Sequence, residues 1–224
     1  MIDVVTLEVF NNRLKAIAEE MQFTLERSAH SPSIREGADC SAGIFDRDGN
    51  LISQATALPV HLGSLGPAIE GMVKAFPVAG MKECDVYIMN DPYAGGQHFP
   101  DIIMLVPVVH EGRVVALVCN LGHHQDIGGA APGGNATNTT EIYQEGLRLP
   151  PLKLYDAGVP NIAVEAILRA NVRIPDIVWG DLVAQTAAAF VGRQRVRALW
   201  QEMGGGKFDE AVRSLQDVAE RMSR

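Results

Sequence analysis

The fold is decided by residues 101–121, which read DIIMLVPVVHEGRVVALVCNL. Two stretches, 101–110 and 113–121, are apolar at nearly every position and flank Glu111-Gly112, a two-residue connection suited to a tight β-hairpin. Because both faces of these strands are apolar, we expect the hairpin to be buried on both sides. Pro107 departs from the pattern, since proline lacks a backbone donor and is expected at an edge or a bulge. The centre of the chain is therefore predicted to be a buried hairpin.

Helices and further strands are predicted on both sides of this hairpin. Apolar residues three or four apart indicate helices, and Asp48-Gly49 between two apolar runs indicates a second hairpin. The predicted fold class is α+β, with an N-terminal helix, β-hairpins in a mixed or antiparallel sheet, and a C-terminal helical segment. We expect an α+β domain at 1–160 and a helical segment at 161–224, packed on the same domain or at a subunit interface. The predicted helices cover residues 4–29, 64–76, 161–172, 176–203 and 207–223, and the other predicted strands cover 41–46, 51–55 and 85–89.

The composition excludes several classes of protein. The 224 residues are 47% hydrophobic and 21% charged with a net charge of −8, which is typical of a soluble globular chain and argues against a nucleic-acid partner. An acidic chain is not attracted to anionic membranes, and no apolar run reaches the about 20 residues of a membrane-spanning helix. Three cysteines without metal-type spacing, and an N-terminus without the features of a signal peptide, predict a cytoplasmic protein.

The central hairpin brings chemically active residues together at one end. Pairing around its turn predicts that Asp101 faces Gly122, so the loop before the first strand and the loop after the second emerge side by side. Two or three imidazoles with a carboxylate match a site for a divalent metal such as zinc, manganese or iron. The alternatives are an incidental His-x-x-Asp pair and a His-His pair in a surface loop. The residues brought together are His98, Asp101, His123, His124 and Asp126.

Three further residues lie in other segments. Asp39 precedes a predicted strand near Arg35 and is a second carboxylate candidate, with a solvated loop as the alternative. Glu145 is a candidate for substrate binding or acid–base chemistry, with a surface ion pair as the alternative. His61 has no ligating residues clustered around it in the sequence, which predicts an ordinary structural role.

Four motifs resemble those of the hydantoinase B/oxoprolinase family. They occur in the family's order, and the resemblance extends from about residue 3 to residue 200. Gln97 departs from the threonine that members commonly carry before the histidine. Members are typically more than twice as long, so the resemblance implies that this chain corresponds to the N-terminal portion of a B-type subunit. The motifs are RS…SPSIRE…DCS (27–41), NDPY…GGQHFPD (90–101), GHHQDIGG (122–129) and EGLRLPPLKL (145–154).

The resemblance implies roles for the candidate residues. Carried over position by position, the metal ligands are His98, Asp101 and His123, with Asp39 as a fourth. His124 and Asp126 are implied to orient a ligand or to move a proton. Together with Glu145 they form the predicted catalytic set.

The resemblance also implies a partner ATPase. Family members work with a hydantoinase A-type subunit of the actin-like ATPase fold, which phosphorylates a lactam or enol oxygen using ATP and magnesium. The leading hypothesis is a B-type subunit of an ATP-dependent hydrolase of cyclic amide C–N bonds, in which metal-activated water attacks the phosphorylated carbonyl. The protein would belong to a hetero-oligomer and act on a small cyclic amide or ketone.

Two alternatives to the hydrolase stay open. One is an ATP-dependent ketone carboxylase subunit of the acetone or acetophenone carboxylase type. The other is a non-catalytic assembly fragment whose helices at 161–223 make subunit contacts.

Overall fold

The fold is an antiparallel sheet with helices on both faces, in a computed structural model that describes residues 2–57, 59–134 and 136–223. The helices are α1 (Val4–Ser28), α2 (Pro32–Arg35), α3 (Pro59–Leu62), α4 (Leu65–Ala75), α5 (Ile162–Asn171), α6 (Pro175–Met203) and α7 (Gly205–Ser223). The strands are β1 (Cys40–Asp46), β2 (Leu51–Gln54), β3 (Val86–Met89), β4 (Asp101–His110), β5 (Arg113–His123), β6 (Leu152–Asp156) and β7 (Val159–Pro160). Their order in the sheet is β2-β1-β5-β4-β3-β6-β7, with every neighbouring pair antiparallel. The α+β prediction is confirmed.

The β4–β5 hairpin lies at the centre of the sheet, but its register differs from the prediction by one residue. Asp101 pairs with His123, whereas the sequence predicted Gly122 as its partner. The cause is a bulge in β5, where Val115 is the extra residue, because Val108 pairs with Ala116 and Val109 pairs with Val114. The pairing of β4 with β3 ends at Leu105, so Pro107 has no partner residue on β3. Proline is tolerated there because no strand on that side requires a backbone donor from it.

Apolar side chains of the hairpin pack on both faces of the sheet, as predicted. Alternate residues of β4, from Ile102 to Val108, face a core shared with α1, α6 and α7. The intervening residues Ile103 and Leu105 face a second core shared with α4. Because successive side chains of a strand point to opposite faces, one continuous apolar run supplies both cores.

Helix α6 packs closely against α1 and the sheet. At Gly192, a Cβ atom would lie 2.2 Å from the Met21 sulfur, so the absence of a side chain allows the two helices to approach. The first core joins residues of the C-terminal helices to residues of the sheet, including Leu182 and Ile102. The domain boundary at 160/161 stays a prediction.

Strands β6 and β7 were not predicted, and β6 pairs with β3 on the far side from β4. The described residues include no helix that is long and apolar enough to cross a membrane.

Candidate metal centre

Three predicted ligands converge at the end of the β4–β5 hairpin. Asp101 is the first residue of β4, His123 is the last residue of β5, and His98 lies three residues before Asp101. The Asp101 Oδ1 is 2.9 Å from the His98 Nε2 and 3.0 Å from the His123 Nδ1. One ligand atom from each residue lies within 4.8 Å of the other two. We call these three residues the metal cluster.

The electrostatics of the metal cluster keep its carboxylate ionised. Asp101 is 2% exposed, and this burial alone would raise the pKa of its carboxyl. Hydrogen bonds from His123 and His98 outweigh burial and hold the Asp101 pKa at about 2. The hydrogen bond that His98 donates to Asp101 raises the pKa of His98 in turn. Since a carboxylate only accepts hydrogen bonds, both imidazole nitrogens that face it donate.

Asp39 lies beside the metal cluster, directly before the first residue of β1. Its backbone carbonyl accepts a hydrogen bond of 3.0 Å from the His123 N–H, which extends the β1–β5 ladder to the hairpin end. The Asp39 Oδ2 is 3.9 Å from the His123 Nδ1. Two imidazoles with one or two carboxylates form a donor set that suits zinc, manganese or iron, so the residues present fit a divalent cation.

His124 points away from the metal cluster, into the interior below the sheet. It is fully buried, and its Nε2 lies 2.9 Å from the Gln185 Oε1 on α6. The Gln185 amide donates to the Ile102 carbonyl and the Asn120 Oδ1, so its Oε1 accepts from the His124 ring. Burial lowers the pKa of His124. The geometry favours His123 over His124 as the ligand.

Asp126 and Glu145 lie outside the metal cluster. The Asp126 carboxylate accepts a 2.6 Å hydrogen bond from the Arg173 backbone N–H and a 3.0 Å hydrogen bond from its guanidinium. Glu145 is exposed, its Oε1 lies 3.5 Å from the Thr139 hydroxyl, and its charge adds to the raised pKa of His98. Catalytic roles for His124, Asp126 and Glu145 stay predictions.

Sequence reasoning missed two residues that organise the surroundings of the metal cluster. Arg173 holds the loop after β5, because its guanidinium also donates to the carbonyls of Gly128, Gly129 and Ala131. His61 is buried, with its Nε2 3.4 Å from the Asp39 Oδ1. Both contacts join residues distant in sequence, and no local spacing signals them.

The sheet and the metal cluster define an α+β protein with a candidate metal centre at a hairpin end. The chain belongs to the hydantoinase B/oxoprolinase family, whose model matches residues 3–224. The resemblance seen in the motifs is thereby confirmed.

Two curated relatives are similar over the whole chain. The beta subunit of caprolactamase from Pseudomonas jessenii is 36% identical over 223 residues, which are 100% of this chain and 38% of the relative. The B-type subunit of a putative D-/L-hydantoinase from Pseudomonas sp. (strain NS671) is 32% identical over 227 residues, again 100% of this chain and 38% of the relative. The chain thus spans about two fifths of the length of these relatives.

Two solved structures share the fold. The ATP-dependent caprolactamase from Pseudomonas jessenii superimposes with a TM-score of 0.90 at 34% identity, covering 99% of this chain and 38% of that chain. Nucleotide-free acetone carboxylase superimposes with a TM-score of 0.85 at 22% identity, covering 93% of this chain and 28% of that chain. The second similarity concerns the fold alone.

Proposed function

We propose that this chain provides the metal-site portion of a B-type subunit in an ATP-dependent hydrolase of cyclic amide C–N bonds. The observation that carries this proposal is the convergence of His98, Asp101 and His123 at one hairpin end. Membership of a family that includes a caprolactamase component supports the substrate class, a small cyclic amide.

The proposed ligands are His98, Asp101 and His123, with Asp39 as a fourth. A divalent cation bound there supplies Lewis-acid polarisation of a carbonyl oxygen and a water of lowered pKa. Asp101 contributes a fixed negative charge, because its pKa of about 2 keeps it ionised at neutral pH. His98 and His123 release the protons that face Asp101 when they serve as ligands.

Residues around the metal cluster fix its shape. The hydrogen bond between His124 and Gln185 ties the end of β5 to α6, so the His123 backbone cannot move independently of the core. Arg173 binds Asp126 and the following carbonyls, and thereby holds the loop that leaves the site. Rigid support of this kind preserves ligand geometry during turnover.

The proposal includes a partner. Two relatives are named as subunits, and one solved relative is named ATP-dependent. We expect a hydantoinase A-type, actin-like ATPase subunit to phosphorylate the substrate carbonyl with ATP and magnesium, in a cytoplasmic hetero-oligomer. This chain then acts on the activated carbonyl.

Metal analysis of the purified chain and of the His98→Ala variant tests the site. We expect one equivalent of zinc, manganese or iron in the wild-type chain and a large loss in the variant. His110→Ala is the matched control, because His110 lies at the opposite end of β4 against Trp200. A wild-type chain that binds no divalent metal at neutral pH would contradict the assignment.

A turnover assay with the partner subunit tests the reaction. We expect ATP-dependent ring opening of a lactam without bicarbonate. Fixation of bicarbonate on a ketone would instead support the carboxylase hypothesis. Neither reaction, combined with no bound metal, would support the assembly fragment.

A further inference from the structure

A buried histidine outside the metal cluster contacts the site through Asp39. We propose that His61 is a positioning residue, whose Nε2–H holds one oxygen of the Asp39 carboxylate and so directs the other oxygen towards the metal cluster. This inference rests on the metal-binding function proposed above.

The Asp39 carboxylate lies between two imidazole rings. Its Oδ1 is 3.4 Å from the His61 Nε2, and its Oδ2 is 3.9 Å from the His123 Nδ1. Asp39 is half-buried, whereas the His61 side chain is 3% exposed. Each carboxylate oxygen therefore faces a different ring, and rotation of the carboxylate would move its Oδ1 away from the His61 Nε2.

The protonation pattern of His61 follows from its neighbours. We assign the proton to the Nε2, because this nitrogen faces a carboxylate oxygen at 3.4 Å and a carboxylate only accepts hydrogen bonds. The His61 Nδ1 is buried and has no hydrogen-bond partner among the residues that the structure describes. Buried polar atoms are normally paired, and a ring kept for structure alone would be expected to use both nitrogens. The contact that offsets the burial of this imidazole is the one with Asp39.

The backbone around His61 is fixed to the loop that carries His98. The Gln97 side chain donates a 2.8 Å hydrogen bond to the Val60 carbonyl, and the Ser64 hydroxyl donates a 2.8 Å hydrogen bond to the His61 carbonyl. Val60 is thus anchored to Gln97, the neighbour of a proposed ligand, and Ser64 closes the turn that carries His61. The positions of the His61 ring and of the metal cluster are therefore coupled through these backbone contacts.

A carboxylate fixed in this way loses less freedom when it becomes a ligand. Hydrogen bonds to ligating groups typically change metal affinity by about 10–100-fold. Loss of the His61 donor is therefore expected to weaken metal binding without removing any residue of the metal cluster.

The test measures Co²⁺ affinity by chelator competition, and the Co²⁺ absorption spectrum, for the wild-type chain and for His61→Met and His61→Gln. His61→Met fills the space without a donor, and we expect about 10–100-fold weaker binding and an altered spectrum. The Gln amide nitrogen takes the place of the imidazole Nε2, so His61→Gln should retain most of the wild-type affinity and the wild-type spectrum. Circular dichroism and thermal unfolding report whether each variant is folded.

The matched control is His110→Met, since His110 lies about 30 Å along β4 from Asp101 by strand rise. It should bind Co²⁺ like the wild type. Wild-type affinity and spectrum in His61→Met would overturn the positioning role, and so would equal losses in His61→Met and His61→Gln, which would indicate a direct ligand. If the wild-type chain itself binds no Co²⁺, the proposed function fails and the inference fails with it. If His61→Met does not fold, His61→Leu takes its place as the variant without a donor, with the same expected loss and the same refuting result.

Discussion

Replacement of Asp101 by Asn removes the charge at the centre of the metal cluster while retaining its shape. The Asn side-chain oxygen still accepts a hydrogen bond from one imidazole, so the variant resembles the protonated form of Asp101. In metal-free protein, the free energy of unfolding should therefore differ between wild type and variant by the stabilisation that the ionised carboxylate contributes.

The size of this difference follows from the pKa of Asp101. Folding lowers that pKa from 3.8 to about 2, which at about 1.4 kcal/mol per pKa unit corresponds to about 2 kcal/mol of stability. Because the pKa is lowered, this stability is present above pH 3.8 and is lost as the pH falls through about 2. The pKa of His98 is raised, so its contribution is present below 6.5 and is lost as the pH rises through the raised value. The lowered pKa of Asp101 and the raised pKa of His98 describe one interaction between the two groups. The loss in free energy of unfolding caused by Asp101→Asn should therefore be largest near pH 5.

Urea unfolding of chelator-treated protein measures this cost between pH 2 and pH 8. Asp48→Asn is the matched control, because Asp48 is an exposed carboxylate in the β1–β2 turn. We expect the loss in free energy of unfolding caused by Asp101→Asn to pass through a maximum as the pH rises. The loss caused by Asp48→Asn should stay small at every pH. A difference that does not change across this pH range would refute the argument that the two imidazoles hold Asp101 ionised.

Two other features give testable outcomes. Arg173→Leu leaves the Asp126 carboxylate, which is 3% exposed, without its guanidinium partner. We expect the free energy of unfolding, measured in urea, to fall by about 2–4 kcal/mol and proteolysis in the loop after β5 to become faster. Wild-type values for both would contradict the role of Arg173 in holding this loop. Burial raises the pKa of Cys40 to about 12 and also raises that of Cys119, so neither thiol should react with iodoacetamide at pH 8 in the native chain. Cys84 is half-buried and should be the labelled thiol, as mass mapping before and after denaturation would reveal.

The sequence predicted the central hairpin well because apolar residues at almost every position demand burial on two faces. It did not predict the register at the site. Turn geometry alone places Asp101 opposite Gly122, and the bulge at Val115 of β5 moves its partner to His123. Val115 carries no signal for a bulge, since valine suits a regular strand equally well.

The contacts around the metal cluster were predictable only in part. His98 and Asp101 are neighbours in sequence, and the hairpin supplies His123, so periodicity and a turn suffice to bring them together. The contact of His61 with Asp39 depends instead on how α3 packs on β1, and that of Arg173 with Asp126 depends on the segment between α5 and α6. Such packing is decided by the whole core, which no local pattern contains.

The bulge in β5 has a consequence for engineering this protein. Glu111-Gly112 lies at the solvent end of the hairpin, far from the metal cluster, and is an attractive place to graft a longer turn. A graft that absorbs the extra residue of the bulge would slide one strand by a single step and again set Asp101 against Gly122. Each side chain of the shifted strand would then meet a neighbour meant for the opposite face. Libraries of turn variants should therefore be selected for metal uptake as well as for solubility.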